Sequence, residues 1–480
     1  MGRYLAFDLG AESGRAILGT LDAGHLTIEE LHRFPNTPLG EGESLYWDTE
    51  RLWQEILRGI AIAADGGLTP DGIGVDTWGV DFGLLGPNGE LVERPRHYRD
   101  PRTNGIMERL FEFVPRDQVF GYTGIQFMQF NTVFQLFAMK QAGATALGAA
   151  RQLLNMPDLF NYRLTGEARS ETTIASTTQF FNPAEMAWAT ELLKRLDLPG
   201  RILCPLVEPG TRLGKATALP GATVYATAGH DTAAAVAAVP AEGAGDWCYI
   251  SSGTWSLMGL EIAKPIIDER TLALNFTNEV GVNRSIRLLK NIAGLWLLQE
   301  CRRAWNDQGH EYNYDQLTRM AAEARPFSAV IDPDAFLEPG RMPQKIAAHC
   351  RASGQEPPAT HGEFARAILE SLAFRYRHVL ESLESLGGRS VRVIHIVGGG
   401  SRNAVLNQFV ADCTGRRVVA GPSEATAVGN LLVQAIGAGE LSGLDDLRAV
   451  VRRSFAPVVF EPGPAADWEN AYERYRKVVG

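Results

Sequence analysis

Two glycine-cornered strand-turn-strand patterns stand about half a chain apart: Leu5 to Leu18, turning through Gly10 and Gly14, and Tyr249 to Met258, turning at Gly253-Thr254. Small residues in such turns leave backbone N–H groups open to an anion, and two hairpins facing each other across a cleft can cradle a triphosphate from both sides. The pattern points to phosphoryl transfer. Glycine turns between strands also occur without any ligand, so each hairpin taken singly fits a plain turn equally well.

With 480 residues, 45% of them hydrophobic, the chain can bury large cores and is expected to form at least two domains. Its apolar runs are short and interrupted, far from the roughly 18 to 20 residues of a spanning helix. A strand-like run begins by Tyr4, leaving no room for a basic region and apolar signal core, and Ala6 stands where N-myristoylation needs Ser or Thr. A cytoplasmic location is expected. The formal net charge of -10 opposes nonspecific attraction to nucleic acid or an anionic membrane, so neither is expected as a partner. Cys204, Cys248, Cys301, Cys350 and Cys413 are scattered without a C-x-x-C pair; they read as buried thiols rather than zinc ligands.

The N-terminal hairpins are followed by a helical pattern over 50–63 and a buried strand at 73–76 that turns at Trp78-Gly79. The second half repeats that order. Strands flank Gly253, a long amphipathic helix spans 363–386 and ends at Gly387-Gly388, and a strand at 393–397 runs into Gly398-Gly399-Gly400 before a helix over 404–413. The repetition implies duplicated α/β halves, divided near Pro240–Asp246 into domains of 1–241 and 242–480.

Several clusters carry chemistry. Asp8, at a strand end, can hold a magnesium-bound water, while Gly10, Ser13 and Gly14 let phosphate oxygens approach. In Gly229-His230-Asp231-Thr232 an acid precedes a small-residue helix; it can accept a proton from an attacking alcohol or simply cap the helix. Ser251-Ser252-Gly253-Thr254 reads as a partner phosphate loop. The turn Gly398-Gly399-Gly400 offers bare backbone to a flat adenosine. A dinucleotide G-x-G-x-x-G starting at Gly398 fails at Asn403, and neither G-x-x-x-x-G-K-[ST] nor G-x-S-x-G occurs. Asp76-Thr77-Trp78-Gly79-Val80-Asp81-Phe82 combines carboxylates, aromatic faces and glycine as a sugar site does, or packs as core. His97-Tyr98-Arg99-Asp100-Pro101-Arg102 reads as a charged loop that lines a cleft or forms surface ion pairs.

In this order the segments resemble the FGGY family of carbohydrate kinases from end to end. The resemblance rests on Asp76–Phe82, Tyr98-Arg99-Asp100-Pro101-Arg102-Thr103, Gly229–Thr232, Ser251–Met258, Leu289-Lys290-Asn291-Ile292-Ala293-Gly294-Leu295-Trp296 and His395–Gly400. It implies two actin-like ATPase domains of ribonuclease H-like topology with a central cleft, the N-terminal one on the sugar and phosphate side and the C-terminal one on the nucleotide side. His-Asp-Thr and the Lys-Asn before Gly-Leu-Trp point to the branch that phosphorylates L-rhamnulose at C1 from MgATP, with L-fuculose as an alternative sugar and a non-catalytic relative as an alternative role. By the resemblance Asp231 is the proton acceptor, and Gly79, His230, Thr232 and Asn291 contact the sugar. Ala11, Glu12, Ser13, Gly14 and Arg15, with Thr254, Gln299 and Gly399, bind the nucleotide. Asn291 and Gln299 rest on the resemblance alone. Glu12 departs from the family's usual small or hydroxylated residue and is expected to point away from phosphate.

Overall fold

Strand β1 (Gly2–Leu9) is buried on both faces, as a central strand of a layered α/β sheet must be. In the computed structural model, which describes residues 1–243 and 245–479, it pairs antiparallel with β2 (Ser13–Asp22), itself antiparallel to β3 (His25–Pro35). On its other side β1 runs parallel to β4 (Gly72–Thr77). Beyond that, β5 (Thr211–Ala216) and β6 (Leu219–Ala226) complete the order β3-β2-β1-β4-β6-β5, with β6 parallel to β4 and β5 antiparallel to β6.

Helices cover both faces of this sheet. Asp48 starts α1 (Thr49–Asp65) by accepting the Arg51 N–H. The buried positions Leu52, Ile56, Ile60 and Ala63 then recur at helical spacing and pack with Leu5, Phe7 and Leu9. On the opposite face the helix Ala425–Ala438 crosses the strands: Asn430 and Gln434 lie over Gly74 and Gly72. Its Gly429 meets α2 (Asp231–Ala237) so closely that a Cβ would stand 1.9 Å from the Ala234 carbonyl oxygen. Between β4 and β5 the chain adds a largely helical excursion with its own core, including Leu110, Phe120, Phe134 and Phe137.

A second sheet repeats the plan. Strands β7 (Trp247–Ser252), β8 (Trp255–Ile262), β9 (Ile286–Ala293), β10 (Val393–Val397), β11 (Arg417–Ala420) and β12 (Val458–Phe460) take the order β9-β8-β7-β10-β11-β12. Here too β7 is antiparallel to β8 and parallel to β10, β10 is parallel to β11, and the outer β12 is antiparallel. The order of these six strands repeats that of the first sheet, and the strand Thr277–Val280 adds a seventh beyond β9. Helices α3 (Trp296–Asn306) and α4 (His361–Gly387) lie in the same half of the chain; α4 begins at the Thr360 cap and stops at Gly388, which has φ 64°. Tyr376 of α4 bonds Ser256 of β8 at 2.7 Å.

The two compact units each draw on more than one stretch of the chain, unlike the expected division into 1–241 and 242–480 along it. The first unit gathers Met1–Pro240, Glu261–Leu288 and Ala425–Ser454, and the second Ala241–Leu260, Leu289–Glu424 and Phe455–Gly480. The physical reason is the helix Ala425–Ala438, whose contacts with β4 and α2 draw it to the first unit. The passage at residues 240 and 241 agrees with the expected boundary segment, of which Ala244 lies outside the described residues, as does Gly480. All five cysteines are buried and unpaired. Among the described residues no helix is long and apolar enough to cross a membrane.

The contact at Gly429 makes a direct prediction. Gly429→Val should destabilise the protein by about 1–3 kcal/mol through overpacking, read as a lower Tm in a thermal melt. An unchanged Tm would contradict the close approach of the two helices.

Candidate active site

The β1–β2 turn is fixed from within and from β3. Gly10 N–H donates to the Ser13 carbonyl at 2.9 Å, Asn36 N–H donates to the Glu12 carbonyl at 2.8 Å, and the Asn36 amide reaches the Gly10 carbonyl at 2.8 Å. Glu12 is exposed, while Ala11, Ser13 and Arg15 are half-buried. Gly14 has a packing cause: a Cβ there would stand 2.3 Å from the Phe34 ring. The Arg15 guanidinium donates to Asp8 at 2.5 Å.

Three carboxylates converge beside this turn. Asp8 and Asp76 are register partners on the parallel strands β1 and β4. The chain before α2 joins the end of β4 through the Thr77 N–H to the Gly229 carbonyl at 2.9 Å, which brings up Asp231. Burial and the Asp8 charge push the Asp76 carboxyl well above its ordinary range. Its Oδ2 accepts from Asn430 at 2.6 Å, and its Oδ1 is buried without a hydrogen bond. Asp231 is likewise raised, first by its deep setting and then by Asp8, against the opposing pull of His230. Its side chain nevertheless stays 31% exposed, so it remains within reach of a ligand.

Asp231 is the first residue of α2 and not its cap; the cap position is held by His230, which makes no side-chain cap bond. The Oδ1 of Asp231 accepts from the Thr232 N–H at 2.6 Å and the Thr232 hydroxyl at 3.2 Å, with His230 Nε2 at 3.4 Å. Oδ2 has no hydrogen-bond partner among the described residues. One oxygen is tethered and the other is free to take a proton.

Gly79 comes to the same place: a Cβ on it would stand 3.4 Å from His230 Nε2 and from Thr177. Val80, next in the chain, has φ 67°, a strained backbone for a β-branched residue. It is clamped by hydroxyls, its N–H donating to Thr177 at 3.1 Å and its carbonyl accepting from Thr132 at 2.6 Å. The neighbouring Asp81 is structural. Its Oδ2 accepts from the Trp47 and Trp78 indoles at 2.6 and 3.0 Å and from the Tyr98 N–H at 3.1 Å, and its Oδ1 from Gln135 at 2.9 Å. Burial raises its carboxyl to about 6. Trp78 and Phe82 are core residues. The 97–102 loop is built in as well, with His97 buried against Trp47 and Tyr98, and Arg102 bonded to Gln135 at 2.6 Å; surface ion pairing does not describe it.

In the second unit the β7–β8 hairpin meets the start of α3. The Gly253 and Thr254 carbonyls accept the Leu295 and Trp296 N–H groups, each at 3.0 Å, satisfying donors that a helix start leaves open. Gln299, one turn into α3, donates to the Thr254 hydroxyl at 3.2 Å and leaves its own Oε1 unpartnered. Sequence reasoning had placed these two residues together only through the resemblance. Gly398, with φ 82°, and Gly400 pack on Ser252, where a Cβ at Gly400 would stand 2.0 Å from the hydroxyl, but Gly399 faces open space. Asn291 is half-buried on β9.

Several supporting residues escaped the sequence. Glu171 accepts the Gly229 N–H at 2.9 Å and the Thr173 hydroxyl at 2.5 Å, and Thr173 in turn accepts the His230 N–H at 3.2 Å. Burial raises the Glu171 carboxyl. Glu171, Thr173, Thr177 and Asn36 lie far from the loops they brace, in no motif. A buried acid followed at two residues by Thr is the only local signal they carry.

Comparison with known proteins fits this geometry. The FGGY family of carbohydrate kinases, N-terminal domain, matches residues 3–237, and its C-terminal domain matches residues 248–438. The chain is 45% identical to a rhamnulokinase of Bacteroides thetaiotaomicron over 485 residues, 99% of each chain. It is 41% identical to one of Enterococcus faecalis, over 99% of this chain and 97% of the other, and 40% identical to one of Bacillus subtilis, over 96% and 95%. A ligand-bound xylulose kinase from Lactobacillus acidophilus superposes with a TM-score of 0.81 at 16% identity, covering 100% of this chain and 98% of the other. Plasmodium falciparum glycerol kinase with ADP gives 0.77 at 15% over the same shares. These two establish the shared fold. The chain belongs to the FGGY family of carbohydrate kinases.

Proposed function

We propose that this sugar kinase transfers the γ-phosphoryl group of ATP to the C1 hydroxyl of L-rhamnulose, giving L-rhamnulose 1-phosphate and ADP. Asp231 carries the reading: a carboxylate of raised proton affinity, with one oxygen tethered and one free, beside His230 and Gly79. As the C1 oxygen bonds to phosphorus and the bond from phosphorus to the ADP oxygen breaks, the hydroxyl proton passes to Asp231 Oδ2. His230, Thr232, Gly79 and Asn291 would contact the sugar. Ala11–Arg15, Thr254, Gln299 and Gly399 would bind the nucleotide. The rhamnulokinase name shared by full-length relatives at 40–45% identity supports the choice of sugar.

Magnesium fits the donor set. This ion keeps much of its water and takes one or two carboxylates together with substrate phosphates. Asp76 Oδ1 is an unpartnered buried carboxylate oxygen, Asp8 is its neighbour, and among the described residues no group of three or more His, Cys, Asp or Glu side chains forms a cage. Asp8 would hold the ion through water. The ion supplies neutralisation of phosphate charge. The net charge of -10 and the unpaired cysteines support action in the cytoplasm, apart from nucleic acid and membrane, on a sugar of rhamnose catabolism.

An ADP-release assay across ketoses and polyols should give the highest kcat/KM with L-rhamnulose. A clear preference for L-fuculose, D-xylulose or glycerol would overturn the choice of sugar. The nucleotide assignment has its own test. Gly399 has room for a side chain, so Gly399→Leu should fold normally yet raise the KM for ATP by about tenfold or more, the worth of roughly 1.4 kcal/mol, with the sugar KM little changed. An unaltered ATP KM would move adenosine elsewhere.

A further inference from the structure

Arg287 is fully buried near the start of β9 and has no part in the chemistry described above. Its Nε donates to the Val280 carbonyl at 3.2 Å, and Nη2 stands 3.2 Å from the same oxygen with two hydrogens to share among its neighbours. The same Nη2 lies 3.1 Å from Glu279 Oε2 and 3.1 Å from His230 Nδ1. Burial disfavours the Glu279 charge, but Arg287 and His230 beside it hold the carboxyl below its ordinary range. A buried ion pair is a poor device for stability, since an apolar pair of similar volume avoids the desolvation. Its contact with a site histidine suggests another use.

The ring chemistry gives one. A guanidinium has donors only, so a hydrogen bond from Arg287 Nη2 to His230 Nδ1 requires the lone pair on Nδ1 and leaves the ring proton on Nε2. Nε2 is the nitrogen that faces the site, 3.4 Å from Asp231 Oδ1 and 3.4 Å from the place of a Cβ on Gly79. Glu279 Oε2 stands 3.3 Å from Nδ1 and would by itself draw the proton to that side. Arg287 is nearer and engages the same oxygen.

We propose that Arg287, backed by Glu279, is a positioning residue that fixes His230 as the Nε2–H tautomer, so that the imidazole offers a hydrogen-bond donor to a sugar hydroxyl. The inference rests on the reading of His230 as a sugar contact, and its test separates the two.

Arg287→Met alone strands Glu279 and should lower Tm. The double variant Arg287→Met/Glu279→Leu removes both charges and should recover most of that loss. Sugar KM should stay raised in both by about 10- to 100-fold, the worth of one hydrogen bond involving a charged or oriented partner, with the ATP KM nearly unchanged. Return of the sugar KM together with Tm in the double variant would make the pair merely structural and overturn the proposal. A measurement on the unaltered protein does not depend on either variant folding. With histidine-selective ¹⁵N labelling and the His230 signals assigned by their loss in His230→Gln, Nδ1 should show the unprotonated shift and Nε2 the protonated one. The reverse pattern would refute the tautomer assignment. An unchanged sugar KM in His230→Gln would instead remove the sugar contact on which the inference stands.

Discussion

Three like charges held at one end of a sheet are the constraint around which the first unit is organised. Asp8 and Asp76 sit side by side on parallel strands, and Asp231 joins them from the start of α2. Left alone they would repel, and burial makes the repulsion stronger. Each therefore has its own support. Arg15 neutralises Asp8, Asn430 donates to Asp76, and Thr232 and His230 hold one oxygen of Asp231. Asn430 is itself oriented by Gln434, which bonds both its side-chain oxygen at 2.7 Å and the Leu5 carbonyl at 3.1 Å. These two amides come from a helix more than 350 residues further along the chain than Asp76, and their task explains why that helix folds with the first unit.

The duplicated sheets make a useful contrast. Register places Ser251 of β7 where β1 has Asp8, each two residues ahead of the turn glycine, and opposite Ser251 stands Val397 where Asp8 faces Asp76. The second unit thus keeps the strand order and discards the acids. In their stead it has hydroxyls, a glycine turn and the amide of Gln299, neutral groups suited to meeting phosphate and adenosine without charge repulsion. One plan supplies two chemical surfaces, and the difference lies in a few residues at strand ends.

Much of this was legible in sequence because it depends on local pattern. Glycine turns, alternation and helical spacing located β1, β4, β10, α1 and α4 to within a few residues, and the motif at 229–232 marked the acid that starts α2. Two kinds of feature were not legible. Side chains that act through tertiary contact, such as Glu171 beneath Gly229, Thr177 on Val80 and Arg287 on His230, belong to no motif, and only the folded chain brings them to their partners. Ambiguous residues also resolved according to the donors around them: Asp81 looked like a sugar ligand until four N–H groups proved to fill its oxygens. The interleaved units were hidden for the same reason, since the partners of the helix Ala425–Ala438, such as Gly19, Gly74 and Ala234, lie far back in the chain.

The central claim is that Asp231 takes the proton of the attacking hydroxyl, and kcat of Asp231→Asn tests it most directly. Asparagine keeps the volume and an oxygen for the Thr232 N–H, so the start of α2 should survive while the base is lost. The account predicts a folded protein with near-normal substrate affinity and a kcat lower by roughly 10²- to 10⁴-fold. Near-normal turnover in that folded variant would contradict it.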